Sequence, residues 1–358
     1  MNIGIVLGTR PEIIKMAPVI RLLEEKKLTY FIIHSNQHYS PNMDEVFFKE
    51  LNLPKPAYNL GIGSADHGNQ TGRMLVKIEE ILLKENPDVV LSQGDTNTVL
   101  SGILAASKQN IPTGHVEAGL RSYDRRMPEE KNRIICDVLS DFLFAPTSVQ
   151  KGILQKEGIP DDRIFVVGNT IVDAVVHHKN LAEKQSRILQ DLNLESGKFV
   201  LVTAHRALNV DTKESLERLV NLIESIPEIT GHSVVYPIHP RTKAKLDEHH
   251  LSISNVKLID PLGYLDFLLL EQHAALIVTD SGGIQEEACI LQVPCITIRE
   301  NTERPETVSV GANRLVDLDL VKFKEAVTYH QHHGHDWANP FGDGHTAEHI
   351  LEVLQSKV

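Results

Sequence analysis

NIGIVL, residues 2–7, runs directly into GTRPE, residues 8–12. A continuous apolar run is typical of a strand covered on both faces, whereas a half-exposed strand alternates between apolar and polar residues. Pro11 suits the first turn of a helix, because its missing N–H would have no partner there. The stretch therefore predicts a buried strand, a tight turn and a helix, which is how a parallel α/β sheet begins.

The same unit, a short apolar run followed by a helical pattern, repeats along the chain. Further strands are predicted at residues 30–34, 88–92, 113–116, 142–145 and 163–167, and again at 199–203, 233–237, 256–259, 275–279 and 295–298. Helices between consecutive strands make those strands parallel. The polar, helical stretch between Gly168 and Lys198 separates the two series, so we place a domain boundary there. We predict an α/β fold of two Rossmann-like domains, residues 1–170 and 171–343, whose parallel sheets face each other across a cleft.

The composition of the 358 residues fits a folded protein and excludes several classes of partner. Apolar residues make up 41%, and 36 Lys and Arg against 48 Asp and Glu leave a net charge of −12. Non-specific binding to nucleic acid or to an anionic membrane needs positive surface, so neither is expected. No apolar run approaches the ~20 residues that span a bilayer, and the first residues become charged too early for a signal peptide. We expect a soluble cytoplasmic protein.

Cysteine and histidine usage predicts no metal site. Cys136, Cys289 and Cys295 lack CxxC spacing, so we expect buried, reduced core residues rather than a disulfide or zinc framework. The His-rich stretch at residues 329–335 has no accompanying carboxylate–histidine spacing of a catalytic zinc site. We interpret it as a solvated helix end.

Polar residues follow the predicted strands at the points where each strand ends. Ligands of open parallel sheets collect at these carboxyl ends, so a site is expected at the turns. The polar turns are GTRPE 8–12, QGDTN 93–97, EAGLR 117–121, AHR 204–206, HPR 239–241 and DSGG 280–283. Because both series contribute turns, we expect one ligand site between the two domains.

Two of these turns contain the residues of a diphosphate site. Arg10 and Lys15 lie in the first turns of a helix, where the helix dipole also favours an anion. The Ser281–Gly283 turn opens another helix, and its backbone N–H groups can approach a pyrophosphate closely because glycine has no Cβ. Glu287, about one turn further on, would accept hydrogen bonds from a ribose, so the combination suggests a nucleotide sugar. The plainer alternative is a capped helix and a tight turn; neither GxGxxG nor a Walker sequence is present.

Three carboxylates of the first half, Asp95, Glu117 and Glu129, are candidates for acid–base chemistry. With His205 and Arg206 from the second half, they would form a proton-transfer site. Mutual repulsion between buried carboxylates would raise at least one pKa, as general-acid work requires. Each residue could instead be a helix cap or a solvated acid.

A set of short segments occurs in an order that is specific as a whole. The segments are GTRPE 8–12, GDT 94–96, VEAGLR 116–121, PEEKNR 128–133, GNTIVDA 168–174, TAHR 203–206, HPRT 239–242, TDSGGIQEE 279–287 and NTERPE 301–306. Over nearly its whole length the chain thus resembles the non-hydrolysing UDP-N-acetylglucosamine 2-epimerases. That family has two Rossmann-like domains in the B-type glycosyltransferase arrangement, with the substrate in the cleft. The resemblance implies that a C-terminal helix, residues 344–358, packs back on the N-terminal domain.

The resemblance also implies roles for residues at matching positions. Catalysis is implied for Asp95, Glu117, Glu129 and His205. Substrate binding is implied for Arg10, Lys15, Arg206, Leu262, Phe267, Ser281, Gly282, Gly283, Glu287 and Arg304. Among these, the glycine turn would hold the diphosphate, Glu287 the ribose, and Leu262 with Phe267 the uracil. Gln37, His38 and Arg73 match the region that holds a second, activating UDP-GlcNAc in some bacterial members.

The implied reaction interconverts UDP-GlcNAc and UDP-ManNAc by elimination of UDP to 2-acetamidoglucal and re-addition, without a cofactor. Kinship also implies a homodimer. One position departs from the family, which commonly has His-Arg-x-Glu-Asn where this chain has HRALN at residues 205–209. We expect the missing acid to orient basic neighbours or cap the following helix, so Leu208 bears on the efficiency or the preferred sugar.

Several alternative functions stay open. A hydrolysing epimerase would release free N-acetylmannosamine, but the intact GTRPE opening favours the non-hydrolysing branch. An epimerase of a UDP-2,3-diacetamido uronic acid is a second alternative, for which Leu208 is a small indication. A B-type glycosyltransferase would need an acceptor groove. A non-catalytic nucleotide-sugar sensor is the alternative from another class, and the retained carboxylates argue against it.

Overall fold

The computed structural model describes residues 1–37 and 47–358, and the chain forms two compact units. The first unit comprises Met1–Ala174 together with Phe341–Val358, and the second comprises Val175–Pro340. The sequence predicts a boundary between residues 170 and 171, at the start of a helix, Thr170–Gln185. In the structure, the chain passes from one unit to the other inside that helix.

The first unit is built on a parallel sheet that holds seven strands within the described residues. The strands are β1 Asn2–Leu7, β2 Thr29–His34, β3 Tyr58–Asn59, β4 Val89–Gln93, β5 Thr113–Val116, β6 Phe142–Ala145 and β7 Ile164–Val166, in the order β3-β2-β1-β4-β5-β6-β7. The helices are α1 Arg10–Glu25, α2 His67–Glu85, α3 Asn97–Lys108, α4 Pro128–Leu139 and α5 Ser148–Lys156, followed by a 3₁₀ turn at Asp161–Arg163 and by α6 Thr170–Gln185. This order places the carboxyl ends of β1, β4 and β5 side by side, because neighbouring parallel strands end at the same edge.

The second unit, which is described throughout, repeats the plan with a parallel sheet of six strands. The strands are β8 Phe199–Thr203, β9 Ser233–Pro237, β10 Lys257–Ile259, β11 Leu276–Thr279, β12 Cys295–Thr297 and β13 Asn313–Leu315, in the order β10-β9-β8-β11-β12-β13. The helices are α7 Ile188–Asp191, α8 Ala207–Val210, α9 Lys213–Thr230, α10 Pro240–His249, α11 Tyr264–His273, α12 Gly282–Ile290, α13 Pro305–Ser309 and α14 Leu320–His332. Here β8 and β11 are neighbours, so the turns after them lie together.

The predicted α/β class with two parallel sheets is confirmed, and the predicted strands recur with small shifts at their ends. The apolar runs are buried because helices cover both faces of each sheet; every residue of β4 and β8, for example, is buried. Two strands were missed, β3 and β13, at the edges of the sheets. Each has only two or three residues, which is too short for a periodic pattern to be read.

The last helix, α15 Thr346–Lys357, belongs to the first unit. Its apolar residues Ile350, Leu351 and Leu354 share a small space with residues of β1, α1 and β4. The returning segment is also held by backbone: the N–H of Asn169 donates to the carbonyl of Phe341 at 2.8 Å. The core of the first unit is therefore completed by a segment that follows the whole second unit along the chain.

Candidate active site

The turn after β1 carries one half-buried and two buried charged groups. The Arg10 guanidinium lies 4.7 Å from the centroid of the Phe47 ring. Lys15, one turn into α1, is buried, and its Nζ donates to Oε1 of Glu117 at 2.6 Å. Glu12, which lies between Arg10 and Lys15 in the sequence, is also buried, and its Oε2 accepts from the N–H of Gly8 at 2.6 Å. The turn thus holds cations and a carboxyl at the carboxyl edge of the first sheet.

Glu117 follows β5 and is held in a backbone conformation that is unusual for its residue type. Its φ of +72° lies in the left-handed region, which is costly for a residue with a Cβ and is enriched at functional sites. The N–H groups of Glu117 and Ala118 both donate to the carbonyl of Phe144, at 3.1 Å each. Its carboxylate accepts from Lys15 and from the Gln93 amide. Glu117 is therefore aimed by its backbone and held by two donors.

Asp95 follows β4, the strand next to β5. Its Oδ2 accepts from Nε and Nη2 of Arg133, at 2.9 and 2.6 Å, and its side chain keeps 30% of its exposure. The side-chain amide of Asn132 donates to the carbonyl of Asp95 at 2.9 Å. We expected repulsion between the acids, but Asp95 and Glu117 each lie against a cation.

Helix α4 starts with two adjacent acids, Glu129 and Glu130, which differ in burial and in their hydrogen bonds. Glu129 is half-buried in the first turn. Glu130 is buried and accepts from Ser122, Tyr123 and Arg133. Burial would raise the pKa of Glu130, but these donors outweigh it and hold the pKa below its usual value. The sequence reading missed Arg133; its position four residues after Glu129 puts it on the same helix face, which was a usable signal.

In the second unit, a buried carboxylate organises the turn after β8. Asp280 accepts from the backbone N–H groups of His205 and Arg206, at 2.9 Å each, and from the Asn209 amide at 3.0 Å. The His205 Nδ1 lies 3.3 Å from the same carboxylate, and its ring stacks on that of His239 with centroids 5.1 Å apart. Asp280 was quoted in the sequence only as part of a segment, yet it fixes the position of two predicted site residues.

The predicted diphosphate turn lies at the start of α12. Ser281 precedes the helix, and a Cβ added to Gly283 would meet nothing within 4 Å, so its backbone is open on that side. A Cβ on Gly282 would lie 3.7 Å from Oε2 of Glu303. Glu303 is itself bound by Arg299 through two hydrogen bonds of 2.9 and 2.8 Å. Burial alone would raise its pKa, but Arg299 with Arg206 and Arg304 nearby holds the pKa well below the usual range.

The remaining predicted substrate contacts are distributed over the same unit. Glu287 is buried in α12, and Arg304 is buried with its guanidinium against Glu286. Leu262 lies in the turn before α11 and Phe267 within that helix, and both are half-buried. Arg206 comes within 4.0 Å of Glu303. The second unit therefore carries the glycine turn together with several arginines.

A model of the UDP-N-acetylglucosamine 2-epimerase family matches residues 21–355. The chain belongs to this family. It is 55% identical over 361 residues to a UDP-N-acetylglucosamine 2-epimerase of Methanocaldococcus jannaschii, covering 99% of both chains. A crystal structure of the M. jannaschii UDP-GlcNAc 2-epimerase in complex with UDP-GlcNAc and UDP has a TM-score of 0.93, at 55% identity, covering 99% of this chain and 100% of that one.

A relative with another named substrate is also similar across the whole length. The UDP-2,3-diacetamido-2,3-dideoxy-D-glucuronate 2-epimerase of Pseudomonas aeruginosa is 41% identical over 359 residues, covering 99% of both chains. The family inferred from the ordered segments is confirmed, and with it the isomerase class, since epimerases are isomerases.

Two of the three residues predicted to bind a second, activating nucleotide sugar lie within the described residues. Gln37 is buried after β2; its Oε1 accepts from the N–H and the hydroxyl of Thr98, at 3.0 and 2.8 Å. Arg73 is exposed on α2. His38 lies outside the described residues. A role for the three in binding a second nucleotide sugar stays a prediction.

Leu208, where the epimerases commonly have Glu, is 72% exposed in α8. We expected the missing acid to orient basic groups or to cap the next helix. In the structure, Thr212 caps α9 by accepting from the N–H of Ser215, and Asp280 holds the His205–Arg206 turn. Both functions are thus supplied by other residues.

The cysteines are buried and free, as expected, and burial raises the pKa of all three thiols, in Cys289 to about 12. The end of the His-rich stretch, residues 331–335, is exposed as expected. His330 is buried instead, and burial lowers its pKa to about 4. Among the described residues, no group of three or more His, Cys, Asp or Glu is placed to hold a metal ion. None of the helices in the described ranges is long and apolar enough to cross a membrane.

Proposed function

We propose that this chain interconverts UDP-N-acetylglucosamine and UDP-N-acetylmannosamine by inverting C2 of the hexose. Full-length identity of 55% to a UDP-N-acetylglucosamine 2-epimerase supports the choice of substrate. The observation that carries the proposal is the placement of Asp95 and Glu117 after neighbouring strands, each against a cation. Two acids at adjacent turns suit a reaction that moves two protons.

The chemistry follows from the weak acidity of the hydrogen at C2, which has no neighbouring carbonyl. We propose that a carboxylate removes this proton as the C1–O bond to UDP breaks, which gives 2-acetamidoglucal and UDP. UDP then adds back to C1 while a proton arrives at C2 from the opposite face. Both intermediates must stay bound, and the departing diphosphate needs cations and N–H donors.

We assign the proton transfers to Asp95, Glu117 and Glu129, without dividing the two faces of C2 among them. His205 and Arg206, together with Arg10, would stabilise the departing diphosphate. In the second unit, the Ser281, Gly282 and Gly283 turn would bind the diphosphate, Glu287 the ribose, and Leu262 with Phe267 the uracil. Lys15 and Arg304 would add further contacts to the substrate. The buried Lys15–Glu117 pair supports a second role for Lys15, namely orientation of the Glu117 carboxylate.

Incubation of the pure protein with UDP-GlcNAc in deuterated water tests the proposal, with products followed by proton NMR. UDP-ManNAc carrying deuterium at C2, without net release of UDP, is the expected result. Free N-acetylmannosamine would instead identify a hydrolysing epimerase. Absence of reaction with every candidate sugar, despite UDP binding, would identify a sensor and overturn the proposal.

Asp95→Asn and Glu117→Gln test the assigned acids. Each should abolish C2 exchange while UDP affinity, measured by calorimetry, changes by less than about threefold, because the predicted nucleotide contacts lie on other residues. Asp161→Asn is the matched control, since Asp161 is an exposed carboxylate that pairs with Lys151. Exchange at the wild-type rate in both variants would contradict the assignment.

A second candidate substrate is a UDP-2,3-diacetamido uronic acid. The P. aeruginosa relative, 41% identical over its whole length, favours it, and Leu208 stands at the position where this chain departs from the common family pattern. Competition between the two UDP-sugars under initial-rate conditions decides which has the larger kcat/KM.

We further propose that the enzyme is a cytoplasmic homodimer and that a second UDP-GlcNAc, bound near Gln37, His38 and Arg73, activates it. Kinship supports each of these points. Light scattering gives the oligomeric state and cell fractionation the location. Activation predicts that added UDP-GlcNAc speeds conversion of UDP-ManNAc, and that Arg73→Ala removes this effect with little change in the basal rate.

A further inference from the structure

A buried ionic cluster lies beneath the turns that carry Asp95 and Glu117. We call it the His115 cluster; its members are His115 in β5, Arg121, Asp137 in α4, and Glu157. His115 Nδ1 lies 2.6 Å from Oδ1 of Asp137, and Arg121 Nη1 lies 2.7 Å from Oδ2. The side chains of His115, Arg121 and Asp137 each keep only 1% of their exposure. On its far side, Arg121 binds Glu157 through hydrogen bonds of 2.9 and 2.6 Å.

Both ring nitrogens of His115 face acceptors. Nε2 lies 2.7 Å from the carbonyl oxygen of Gly94, which can only accept a hydrogen bond. Nδ1 faces the Asp137 carboxylate, which also lies 2.7 Å from the Arg121 guanidinium and accepts from the N–H of Gly119 at 3.2 Å. Two acceptors require two N–H donors, so His115 is an imidazolium. Burial opposes this charge, yet Asp137 and the Gly94 carbonyl outweigh burial and hold the pKa of His115 above its usual value.

The cluster contacts the backbone on the two turns of the proposed acids. The Gly94 carbonyl immediately precedes Asp95, and Gly119 comes two residues after Glu117. Both glycines have left-handed backbones, with φ of +94° and +83°, and the N–H of Gly94 donates to the carbonyl of Val116 at 3.2 Å. One carboxylate, Asp137, therefore reaches one turn directly and the other through His115.

We propose that His115 and Asp137 are positioning residues that fix the Asp95 and Glu117 turns relative to each other for proton transfer at C2. This inference rests on the proposed function. The Nε2–H of His115 holds the Gly94 carbonyl, and Oδ2 of Asp137 holds the Gly119 N–H. Both side chains keep only 1% of their exposure, which leaves no surface for contact with the substrate, so loss of either should lower kcat and leave KM nearly unchanged. Misplacement of a reacting group by about 1 Å can cost on the order of 100-fold.

Two substitutions of His115 separate positioning from simple packing. His115→Gln places an amide near the site of Nε2 and can keep the bond to Gly94, whereas His115→Asn places its amide near Nδ1 and can keep only the bond to Asp137. Both lose one buried contact, so their losses in Tm should be similar. We expect kcat to fall about 10- to 100-fold in His115→Asn and less than about fivefold in His115→Gln. Equal losses of kcat in the two variants overturn the proposal.

A second pair of variants covers the case in which His115→Asn does not fold. Asp137→Asn should lower kcat at constant KM. Asp141→Asn is its control, because Asp141 Oδ2 accepts from the N–H of Thr113 at 2.9 Å, at the opposite end of the same strand β5. Equal effects of the two substitutions on kcat would show that support of β5 alone matters and would overturn the proposal.

The pH profile gives a readout that a packing role would not change. When the pH rises through the raised pKa of His115, the remaining proton is retained beside Asp137 and the Gly94 carbonyl loses its donor. Arg121 and Asp137 are the charged groups that face His115, and Arg121 keeps its charge throughout this range. We expect kcat to fall on the alkaline side in the wild type and this limb to weaken in His115→Gln. An identical alkaline limb in both proteins contradicts the inference.

Hydrogen exchange of the peptide that spans residues 93–97 tests whether His115 holds the Gly94 turn without any measurement of turnover. Faster exchange is expected in His115→Asn than in His115→Gln, and equal rates overturn the proposed hold on Gly94. A wild-type protein that never exchanges the C2 hydrogen overturns the proposed function, while the peptide data still decide whether His115 holds this turn.

Discussion

At the scale of single residues, the carboxyls at the carboxyl edge of the first sheet differ in how their charge is balanced. Glu117 and Asp95 each face a cation. Glu12 accepts from the Gly8 N–H, lies near Asp95 and forms no ion pair within the described residues 1–37 and 47–358, and burial raises its pKa to about 7. A raised pKa thus occurs at an acid that the sequence analysis quoted only as part of the GTRPE segment.

The raised pKa of Glu12 predicts a specific pH dependence of stability. The folded state favours protonated Glu12, so its contribution is present below pH ~4.5 and is lost as the pH rises through about 7. The wild type should therefore lose on the order of 3 kcal/mol of unfolding free energy relative to Glu12→Gln between pH 5 and 8. Urea titrations at the two pH values measure it.

Glu130→Gln serves as a comparison of opposite sign, because hydrogen bonds lower the pKa of Glu130. The stability that Glu130 contributes is present above pH ~4.5 and is lost as the pH falls further. If the difference in unfolding free energy between wild type and Glu12→Gln does not change with pH, ionisation of Glu12 does not destabilise the folded state and the interpretation is wrong.

Sequence could place Arg10, Asp95 and Glu117 at a sheet edge, because strand ends and the turns after them are local properties. It could not predict the Lys15–Glu117 pair, whose members are 102 residues apart and meet only through the order of the strands. The burial of Glu12 could not be predicted from the sequence for the same reason. The chemistry proposed for the site was inferred from the ordered set of segments rather than from hydrophobic periodicity.

At the scale of elements, the turn after β5 is shaped by a glycine that tolerates no side chain. Gly119 has φ of +83°, and a Cβ there would lie 2.8 Å from the carbonyl oxygen of Gln150 in α5. The close approach lets α5 pack directly against the turn that carries Glu117. Backbone conformation and helix packing therefore require glycine for two separate reasons.

Gly119→Ala should destabilise the protein by roughly 2–4 kcal/mol, because it adds a clash with backbone to the cost of a left-handed φ. Gly158→Ala is the matched control: Gly158 has φ of +87° and nothing within 4 Å of an added Cβ. It should cost only about 1 kcal/mol. Equal midpoints in chemical denaturation would mean that α5 moves away without cost.

At the scale of the whole molecule, the two units each have their own sheet and core, yet the first is closed by a helix from beyond the second. Ile350 and Leu354 of α15 are almost fully buried. No periodic pattern in the sequence predicts this return, which was implied by the family resemblance alone. Helical periodicity shows that a face is apolar but not which sheet will cover it.

Ile350→Ala should cost roughly 2–4 kcal/mol, since it removes buried methyl groups and leaves a cavity. The effect should be concentrated in the first unit, so native-state hydrogen exchange should increase in residues 1–174 more than in residues 175–340. Glu352→Ala, an exposed site on the same helix, should change little. An equal increase in hydrogen exchange over both units would contradict the interpretation that each unit has its own core.

The return of the chain to its first unit affects how the protein is made. A ribosome completes the β1–β7 sheet early, but α15 emerges only after the entire second unit has been synthesised. Until then the apolar side of α1 that receives α15 is uncovered, which favours holding by a chaperone. A message truncated anywhere in the second half would therefore yield a nascent first unit that cellular proteases recognise as unfinished.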